Sequence, residues 1–132
     1  MRILDSDHWV ALLRGQLTLA ERVAMDEDLA ITAVSVGELV HGAYKSRRVD
    51  ENLARVAVLL AGVVVLPFDA ESAHWFGRLK AELESAGTRL GDLDLQIAGI
   101  AMRHGASLVT HNLKHFERVT GLTLEDWLQE RE

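Results

Sequence analysis

Short apolar segments alternate along this chain with longer segments whose apolar residues recur at helical spacing. Strands are predicted at residues 2–4, 29–34, 63–66 and 107–110, and the tail segment LTLEDWL is expected to hold a last strand and turn. Helices are predicted at residues 8–15, 19–26, 36–46, 51–61, 70–84 and 93–104. Parallel strands are joined by crossovers that usually contain a helix, so this alternation predicts an α/β fold, with a mainly parallel sheet and helices on both faces.

Residue types at the ends of these segments support the predicted boundaries. Thr18 and Glu21 have the spacing of a capping box for the helix at 19–26. Asp69 is a favourable N-cap for the helix at 70–84. With only one Pro and no repeat or low-complexity stretch, nothing marks a linker, and we expect a single domain over residues 1–132.

Composition narrows the possible classes of protein. The formal net charge is −6, with 20 acidic residues against 14 Lys and Arg. This charge disfavours non-specific nucleic-acid binding, which depends on neutralising phosphates. Two local basic clusters still suit transient contact with nucleic acid: Lys45, Arg47 and Arg48, and the cluster His111, Lys114, His115 and Arg118. The chain has no Cys, no apolar run of membrane-spanning length and no export signal at its start, so we expect a cytoplasmic protein.

Acidic or amide side chains recur where predicted strands end. The segments MRILDSD, ITAVSVGEL, GDLDLQIA and SLVTHN contribute Asp5, Glu38, Asp94 and Asn112. In α/β sheets such groups converge at the carboxyl ends of the strands, where these folds place their sites. Two carboxylates about 4 Å apart repel by roughly 4 kcal/mol at an effective dielectric constant near 20, so a positive group is expected between them. A divalent metal ion is the natural candidate, and the pattern suggests a metal-dependent phosphoryl-transfer enzyme.

Each of these acids also has an ordinary structural explanation. Asp7 lies next to the helical segment HWVALL and is better placed than Asp5 to cap it, so Asp5 is assigned to the site and Asp7 to a cap or supporting role. Ser35 and Glu38 have capping-box spacing, and this explanation of Glu38 has about the same weight as a role in the site.

Asp94 is the strongest single candidate. It shares a helix face with Ile97, Ala98 and Ala101, and this face is expected to pack on the sheet. A carboxylate on a buried face is costly unless a metal ion or hydrogen bonds compensate it. Asp92 cannot share that face within one helix, and we expect it to be an N-cap.

Residues after the last long strand leave alternatives open. Asn112 either ends the strand or orients a metal-bound water. Thr110 is placed to donate a hydrogen bond to a site carboxylate, although Thr is also common at strand ends. His111 and His115 have the spacing of a helical zinc pair, but they lack the intervening Glu and follow a strand, so surface or phosphate contacts are the better explanation.

The ordered blocks of this sequence resemble a known family. LDSDHWVALLRG, ITAVSVGELVHGAYKS, LPFDAESAHWFGRLKAELESAGTRLGDLDLQIAGIAMRHGASLVTHN and HFERVTGLTLEDW look like successive blocks of the PIN-domain ribonuclease toxins of the VapC type. The resemblance runs from Met1 to about Trp127. It implies a three-layer α/β/α sandwich, Mg²⁺- or Mn²⁺-dependent cleavage of RNA, a cognate VapB-type antitoxin and a homodimer.

Family positions map onto the same acids. The first acid falls on Asp5, the helix acid on Glu38 and the acid before Ile-Ala on Asp94. The fourth position falls on Asn112, where many relatives have Asp, and Asp7 stands where the family often has Asn. With Mg²⁺ as a hard ion, we expect Asp5 and Asp94 to be metal ligands, and Glu38 and Asn112 to hold metal-bound waters, one of which attacks the phosphorus.

Antitoxins of this family lay a helix or an extended arm across a groove of the toxin. Trp9, Leu12, Leu13 and the helix at 51–61 are candidates for that groove, and ordinary core packing is the alternative.

Two other functions compete. The Asp5-Ser6-Asp7 spelling also resembles the aspartate-nucleophile phosphatases of the haloacid dehalogenase group, although the chain is short for that fold and lacks its later Lys and paired acids. A PIN-like domain that has lost catalysis and binds RNA or protein is the other alternative, to which Asn112 gives some support. Binding of Mg²⁺ discriminates between these functions, because an active nuclease must bind the ion and an inactive module need not.

Overall fold

The computed structural model describes residues 1–26 and 28–128 of the chain. Its strands are β1 (Arg2–Leu4), β2 (Leu29–Thr32), β3 (Val64–Leu66), β4 (Ser107–Val109) and β5 (Leu124–Glu125). Its helices are α1 (Ser6–Leu13), α2 (Leu17–Met25), α3 (Ala33–Lys45), α4 (Val49–Ala61), α5 (Ala70–Ser85), α6 (Asp92–His104) and α7 (Leu113–Phe116). Across this described part, no helix has the length and apolar character needed to cross a membrane.

The five strands form one parallel sheet in the order β3–β2–β1–β4–β5. The register places Ile3 of β1 between Ala30 of β2 and Leu108 of β4. Because all strands run in the same direction, β1, β2 and β4 end at one edge of the sheet. The predicted parallel sheet is confirmed, and so is the short strand predicted in the tail.

Successive residues of the central strands point to two different cores, as the pleat of a strand requires. One core contains Ile3, Ala30 and Leu108 with the buried faces of α5 and α6. The other contains the next residue of each strand, Leu4, Ile31 and Val109, with the buried faces of α1, α3 and α4. Helices therefore cover both faces of the sheet, which confirms the three-layer α/β/α sandwich.

Five of the predicted helices, α1, α2, α3, α4 and α6, begin one to three residues earlier than predicted. Helix α2 begins at Leu17, because Gly15 turns the chain with φ of +82° directly after α1. Gln16 occupies the N-cap position without a side-chain hydrogen bond, so the predicted capping box at Thr18 and Glu21 is wrong. The helix therefore starts two residues earlier and ends one residue earlier than predicted.

Helix α3 begins at Ala33, where strand β2 was predicted to continue. The Thr32 hydroxyl accepts a hydrogen bond from the Ser35 N–H at 3.1 Å and caps the helix. Ser35 lies within the first turn, so the predicted capping box of Ser35 and Glu38 is wrong. Glu38 therefore needs another explanation.

Helix α6 packs against the sheet through the predicted face. Ile97, Ala98 and Ala101 are fully buried. Gly99 lies where α5 comes closest, since a Cβ atom at this position would stand 2.8 Å from the Ser72 carbonyl oxygen. This close packing fixes α6, whose first turn carries Asp94.

Candidate active site

The site is built at the edge where β1 and β4 end. Asp5 follows the last residue of β1, and its N–H donates to the Val109 carbonyl at 2.8 Å, so the pairing of the two strands continues into the site. Thr110 follows the last residue of β4 and is fully buried. Strand pairing therefore brings Asp5 and Thr110 together, although they are far apart in the sequence.

Asp5 is the buried centre of the site, with 5 % of its surface exposed. One carboxylate oxygen accepts from the Ser6 N–H at 2.8 Å and caps α1, and the other accepts from the Thr110 hydroxyl at 2.9 Å. Burial, and then the negative charges of Asp7 and Asp94, raise the pKa of Asp5 from 3.8 to about 6, against the lowering effect of the two hydrogen bonds. Asp5 is thus the cap of α1 and also a carboxyl group whose ionised form is disfavoured by its surroundings.

Asp7 lies beside Asp5 and is held by the chain on two sides. Its carboxylate accepts from the His111 N–H at 2.9 Å, and its other oxygen is 2.6 Å from Nδ1 of the buried His8. Burial alone would raise the pKa of Asp7, but the hydrogen bonds from His8 and His111 outweigh it and lower the pKa. Asp7 therefore belongs to the carboxylate cluster, and its expected role as the cap of α1 is taken by Asp5.

The tautomer of His8 follows from its partners. Its Nε2 accepts a hydrogen bond from the Trp127 N–H at 3.1 Å, so in the neutral ring the proton is on Nδ1 and is donated to Asp7. His8 is fully buried and connects the tail of the chain to the carboxylate cluster.

Asp94 faces the same cluster from the first turn of α6. Burial raises its pKa; the charge of His115 opposes this rise and the charge of Asp7 adds to it. Asp5, Asp7 and Asp94 therefore act on one another electrostatically, as the predicted convergence of acids requires. Asp92, two residues earlier, is the first residue of α6 and pairs with Lys80 at 2.9 Å, so its expected role as an N-cap is wrong and Gly91 takes that position.

Glu38 joins the site through a hydroxyl. Ser6 Oγ donates to the Glu38 carboxylate at 2.9 Å and lies 3.4 Å from the Asp5 carboxylate. Glu38 itself is exposed. Ser6 therefore links the exposed acid Glu38 on α3 to the buried acid Asp5 that follows β1. Sequence reasoning missed this role because a lone Ser between two Asp residues carries no distinctive signal.

Asn112 stands at the rim. Its N–H donates to the Thr110 hydroxyl at 3.1 Å, while its exposed side chain makes no capping bond at the start of α7. The Thr110 hydroxyl also lies 3.5 Å from Asp7, so this one group contacts two carboxylates and orients the backbone of Asn112. The prediction that Thr110 donates to a site carboxylate is confirmed.

Asp126 is a further acid that sequence reasoning missed. Its side chain is 3 % exposed and accepts from Nδ1 of His111 at 2.9 Å. It also accepts from the Leu128 N–H at 2.8 Å. No short motif marks Asp126, because its role depends on the tail returning to the end of β4.

The donor set of the cluster fits a hard divalent cation. Mg²⁺ prefers oxygen ligands, and it keeps several waters when one or two carboxylates hold it. Asp5 and Asp94 supply carboxylates whose mutual repulsion, with that of Asp7, a cation would relieve. Within residues 1–26 and 28–128 no group of three or more His, Cys, Asp or Glu side chains is close enough together to hold a metal ion. A cation at this cluster would therefore have at most two direct protein ligands of these types.

Comparison with known proteins identifies the family and the fold. The model of the PIN domain family matches residues 2–122. The chain therefore belongs to the PIN domain family, and the alternative of an aspartate-nucleophile phosphatase is wrong.

Relatives within this family narrow the assignment. The tRNA(fMet)-specific endonuclease VapC of Shigella flexneri is 40 % identical over 127 residues, which cover 95 % of this chain and 96 % of the relative. Ribonuclease VapC2 of Rickettsia felis is 35 % identical over 107 residues, covering 81 % and 80 %. A structure of DNA-bound VapBC from Salmonella typhimurium superposes with a TM-score of 0.91 at 34 % identity, over 96 % of this chain and 97 % of that one. The chain is a member of the VapC group of PIN-domain ribonuclease toxins, which confirms the resemblance.

Proposed function

We propose that this protein is an Mg²⁺- or Mn²⁺-dependent endoribonuclease that hydrolyses RNA phosphodiester bonds at the carboxylate cluster. The observation that carries the proposal is the close grouping of three carboxylates. The buried Thr110 hydroxyl contacts the carboxylates of Asp5 and Asp7, and the negative charge of Asp94 also acts on Asp5. Repulsion between these carboxylates destabilises the folded protein unless a bound cation offsets it, and a bound cation is what a metal-dependent nuclease requires. The names of the relatives, ribonuclease and tRNA(fMet)-specific endonuclease, support RNA as the substrate.

The proposed metal ligands are more buried than the side chains proposed to orient water. Asp5 and Asp94 are the proposed metal ligands, because both lie in the cluster and carry raised pKa values. Glu38, exposed and bonded to Ser6, and Asn112, exposed at the rim, are placed to orient water molecules next to the scissile phosphate. When bound, the metal ion would acidify the attacking water and offset charge on the phosphate.

The remaining groups keep the carboxylates in position. Thr110 and the Ser6 N–H hold the two oxygens of Asp5, and His8 with the His111 N–H holds Asp7. Neutral His8 carries its proton on Nδ1 and donates it in a hydrogen bond to Asp7. This bond helps to lower the pKa of Asp7 and so favours its ionised form beside Asp5.

Cleavage assays on paired variants test this function. RNA, with initiator tRNA as the first substrate because of the relatives' name, is incubated with the purified protein with Mg²⁺, with Mn²⁺ or with EDTA. We expect wild type to cut with either metal, Asp94→Asn to lose cleavage, and Asp50→Asn, at an exposed acid in the first turn of α4, to retain it. Cleavage in EDTA, or equal cleavage by folded Asp94→Asn, would contradict the proposal. Folded wild type that binds RNA without cutting it would favour the inactive PIN-like module instead.

The VapBC complexes among its structural relatives support a VapB-type antitoxin as partner. A groove of about 500 Å³ between α1 and α4 is lined by Leu12, Leu13, Val58 and Leu59, with Arg55 at its side. We assign the antitoxin to this groove. Trp9, which was expected to line it, is fully buried and donates its indole N–H to the Leu4 carbonyl at 2.8 Å, so that part of the expectation is wrong.

Antitoxin binding is tested at the most exposed apolar residue of the groove. Val58 is 77 % exposed, so Val58→Asp should weaken binding of the antitoxin without unfolding the toxin. Val64→Asp, a matched change at an exposed strand residue outside the groove, serves as the control, and an equal loss of binding in both variants would contradict the assignment. The expected homodimer and the cytoplasmic location remain proposals, and light scattering of the purified chain tests the first.

A further inference from the structure

A ribonuclease needs a surface that holds the RNA strand beside its carboxylates, and this chain is acidic overall, with a net charge of −6. Two basic clusters are available. The first, at residues 45–48, lies at the C-terminal end of α3, seven residues and about 10 Å along the helix from Glu38. The second begins at His111, directly beyond β4, at the edge of the sheet where the carboxylates lie. Position therefore favours the second cluster.

His111 begins this second cluster in a fixed position. Its N–H donates to Asp7 and its ring Nδ1 is held by Asp126, both at 2.9 Å. The side chain is nevertheless 63 % exposed, while that of its partner Asp126 is only 3 % exposed. The ring is thus anchored by a buried carboxylate and presented to solvent next to the site.

Further basic groups follow His111 along the chain. Lys114 and His115 are exposed on α7, and His115 is near enough to Asp94 for its charge to act on that carboxylate. Arg118 donates from Nη1 to the Arg89 carbonyl at 2.5 Å, which joins this segment to the loop between α5 and α6. Glu117 is the one acid between residues 111 and 118.

A cavity lies at the far end of this series. It has a volume of about 420 Å³ and is lined by Arg89 and Thr88 and by the apolar side chains Leu83, Leu90 and Leu95. Two acids, Glu84 and Asp92, also line the cavity. Asp92 pairs with Lys80 at 2.9 Å, and the charge of Glu84 also acts on Lys80, which leaves Arg89 as the cation available to a ligand. Apolar walls with a cationic side chain suit a nucleotide, whose base is apolar on its faces and whose phosphate is anionic.

We propose that His111, Lys114, His115, Arg118 and Arg89 form a basic track that binds the sugar–phosphate backbone of a single-stranded RNA segment next to the carboxylate site, with the cavity receiving one of its bases. The proposal rests on the proposed function for the identity of the ligand. Single-stranded RNA fits better than a duplex, because the cavity accepts a base only when that base is unpaired.

Variants that replace one basic residue by Gln test the track. Lys114→Gln, Arg118→Gln and Arg89→Gln each remove one positive charge from it, and Arg47→Gln removes one from the first cluster as the matched control. Binding of a single-stranded RNA is measured by fluorescence anisotropy in the Asp94→Asn background, so that the RNA stays intact. Each track variant should weaken binding about fivefold and reduce the slope of log affinity against log salt by about 0.7, whereas the control should change neither.

Kinetics in the otherwise wild-type protein separate binding from chemistry. The track variants should raise KM while leaving kcat within about twofold, because they hold the strand and do not touch the reacting atoms. Equal effects of Arg47→Gln and Arg118→Gln, or no effect of any track variant on RNA binding, would overturn the track. If wild type fails to cleave but the track variants still weaken binding, the proposed function fails and the track stands.

Discussion

Replacing Asp5 by Asn should make the metal-free protein more stable while removing its activity. Asp5 is 5 % exposed, and burial with the charges of Asp7 and Asp94 raises its pKa from 3.8 to about 6. A carboxyl group with a raised pKa contributes stability that is complete below pH 3.8 and is lost as the pH rises through about 6. A shift of about two pKa units corresponds to about 3 kcal/mol of unfolding free energy at pH 8.

Asn suits the position because it keeps both hydrogen bonds. Its carbonyl accepts from the Ser6 N–H, since Asn caps helices as well as Asp does. Its amide N–H₂ donates to the Thr110 hydroxyl in place of accepting from it. The charge penalty is therefore removed without leaving a buried polar group unsatisfied.

Thermal and urea denaturation in EDTA, at pH 8 and at pH 4, measure this effect. At pH 8 the melting temperature of Asp5→Asn should exceed that of wild type by about 10 °C, and at pH 4 the two should nearly coincide. Saturating Mg²⁺ should narrow the gap at pH 8, because it stabilises only the wild type. Asp92→Asn, which removes an exposed carboxylate, should show no such gap. A variant that is less stable than wild type at pH 8, or a gap of the same size at pH 4, would refute the reasoning.

Three further results are expected. His8→Ala should lower the unfolding free energy by about 2–4 kcal/mol in urea denaturation, because it leaves Asp7 and the Trp127 N–H without their buried partner; an unchanged midpoint would contradict this role. Gly99→Ala should destabilise by about 1–3 kcal/mol, because its Cβ would meet the Ser72 carbonyl at 2.8 Å. Gly77→Ala on the neighbouring helix, where nothing lies within 4 Å, should stabilise by up to about 1 kcal/mol, and similar effects of both Gly changes would show that helix packing is not the cause.

The spacing of the apolar residues along the chain was enough to predict the layers of this fold and to single out Asp94 as a site candidate. The face of α6 formed by Ile97, Ala98 and Ala101 is buried as expected, and Asp94 lies on it because helical spacing depends only on local geometry. The parallel pairing of the strands follows similarly from strand–helix alternation, whereas the strand order was not predicted.

Helix starts were less predictable where two side chains compete for one cap. Thr32 and Ser35 are both suitable N-cap residues, and the choice depends on where β2 stops pairing with β3, at Thr32 opposite Leu66. Similarly, Asp5 rather than Asp7 caps α1, because the strand pairing of Asp5 with Val109 holds its backbone in the extended conformation of an N-cap. Such choices are made by tertiary contacts.

Contacts between distant parts of the chain lay beyond sequence reasoning. The bond between His8 and Trp127 joins residues 119 positions apart, and that between His111 and Asp126 forms only because the tail returns beside β4. A single His or Asp carries no spacing signal for such a partner. The candidate acids and Thr110 were therefore predictable one by one, whereas the contacts of Ser6, His8 and the tail with these acids were not.

The most direct test of the metal site is a thermal melt titrated with Mg²⁺ and Mn²⁺ for wild type, Asp94→Asn and Asp92→Asn. An ion that binds only the folded state at about 100 times its dissociation constant should stabilise wild type by roughly 2.7 kcal/mol. We expect this shift in wild type and Asp92→Asn and its loss in Asp94→Asn. A wild type that does not respond to either ion, or an Asp94→Asn variant that responds equally, would contradict the assignment of the carboxylate cluster as a metal-dependent nuclease site.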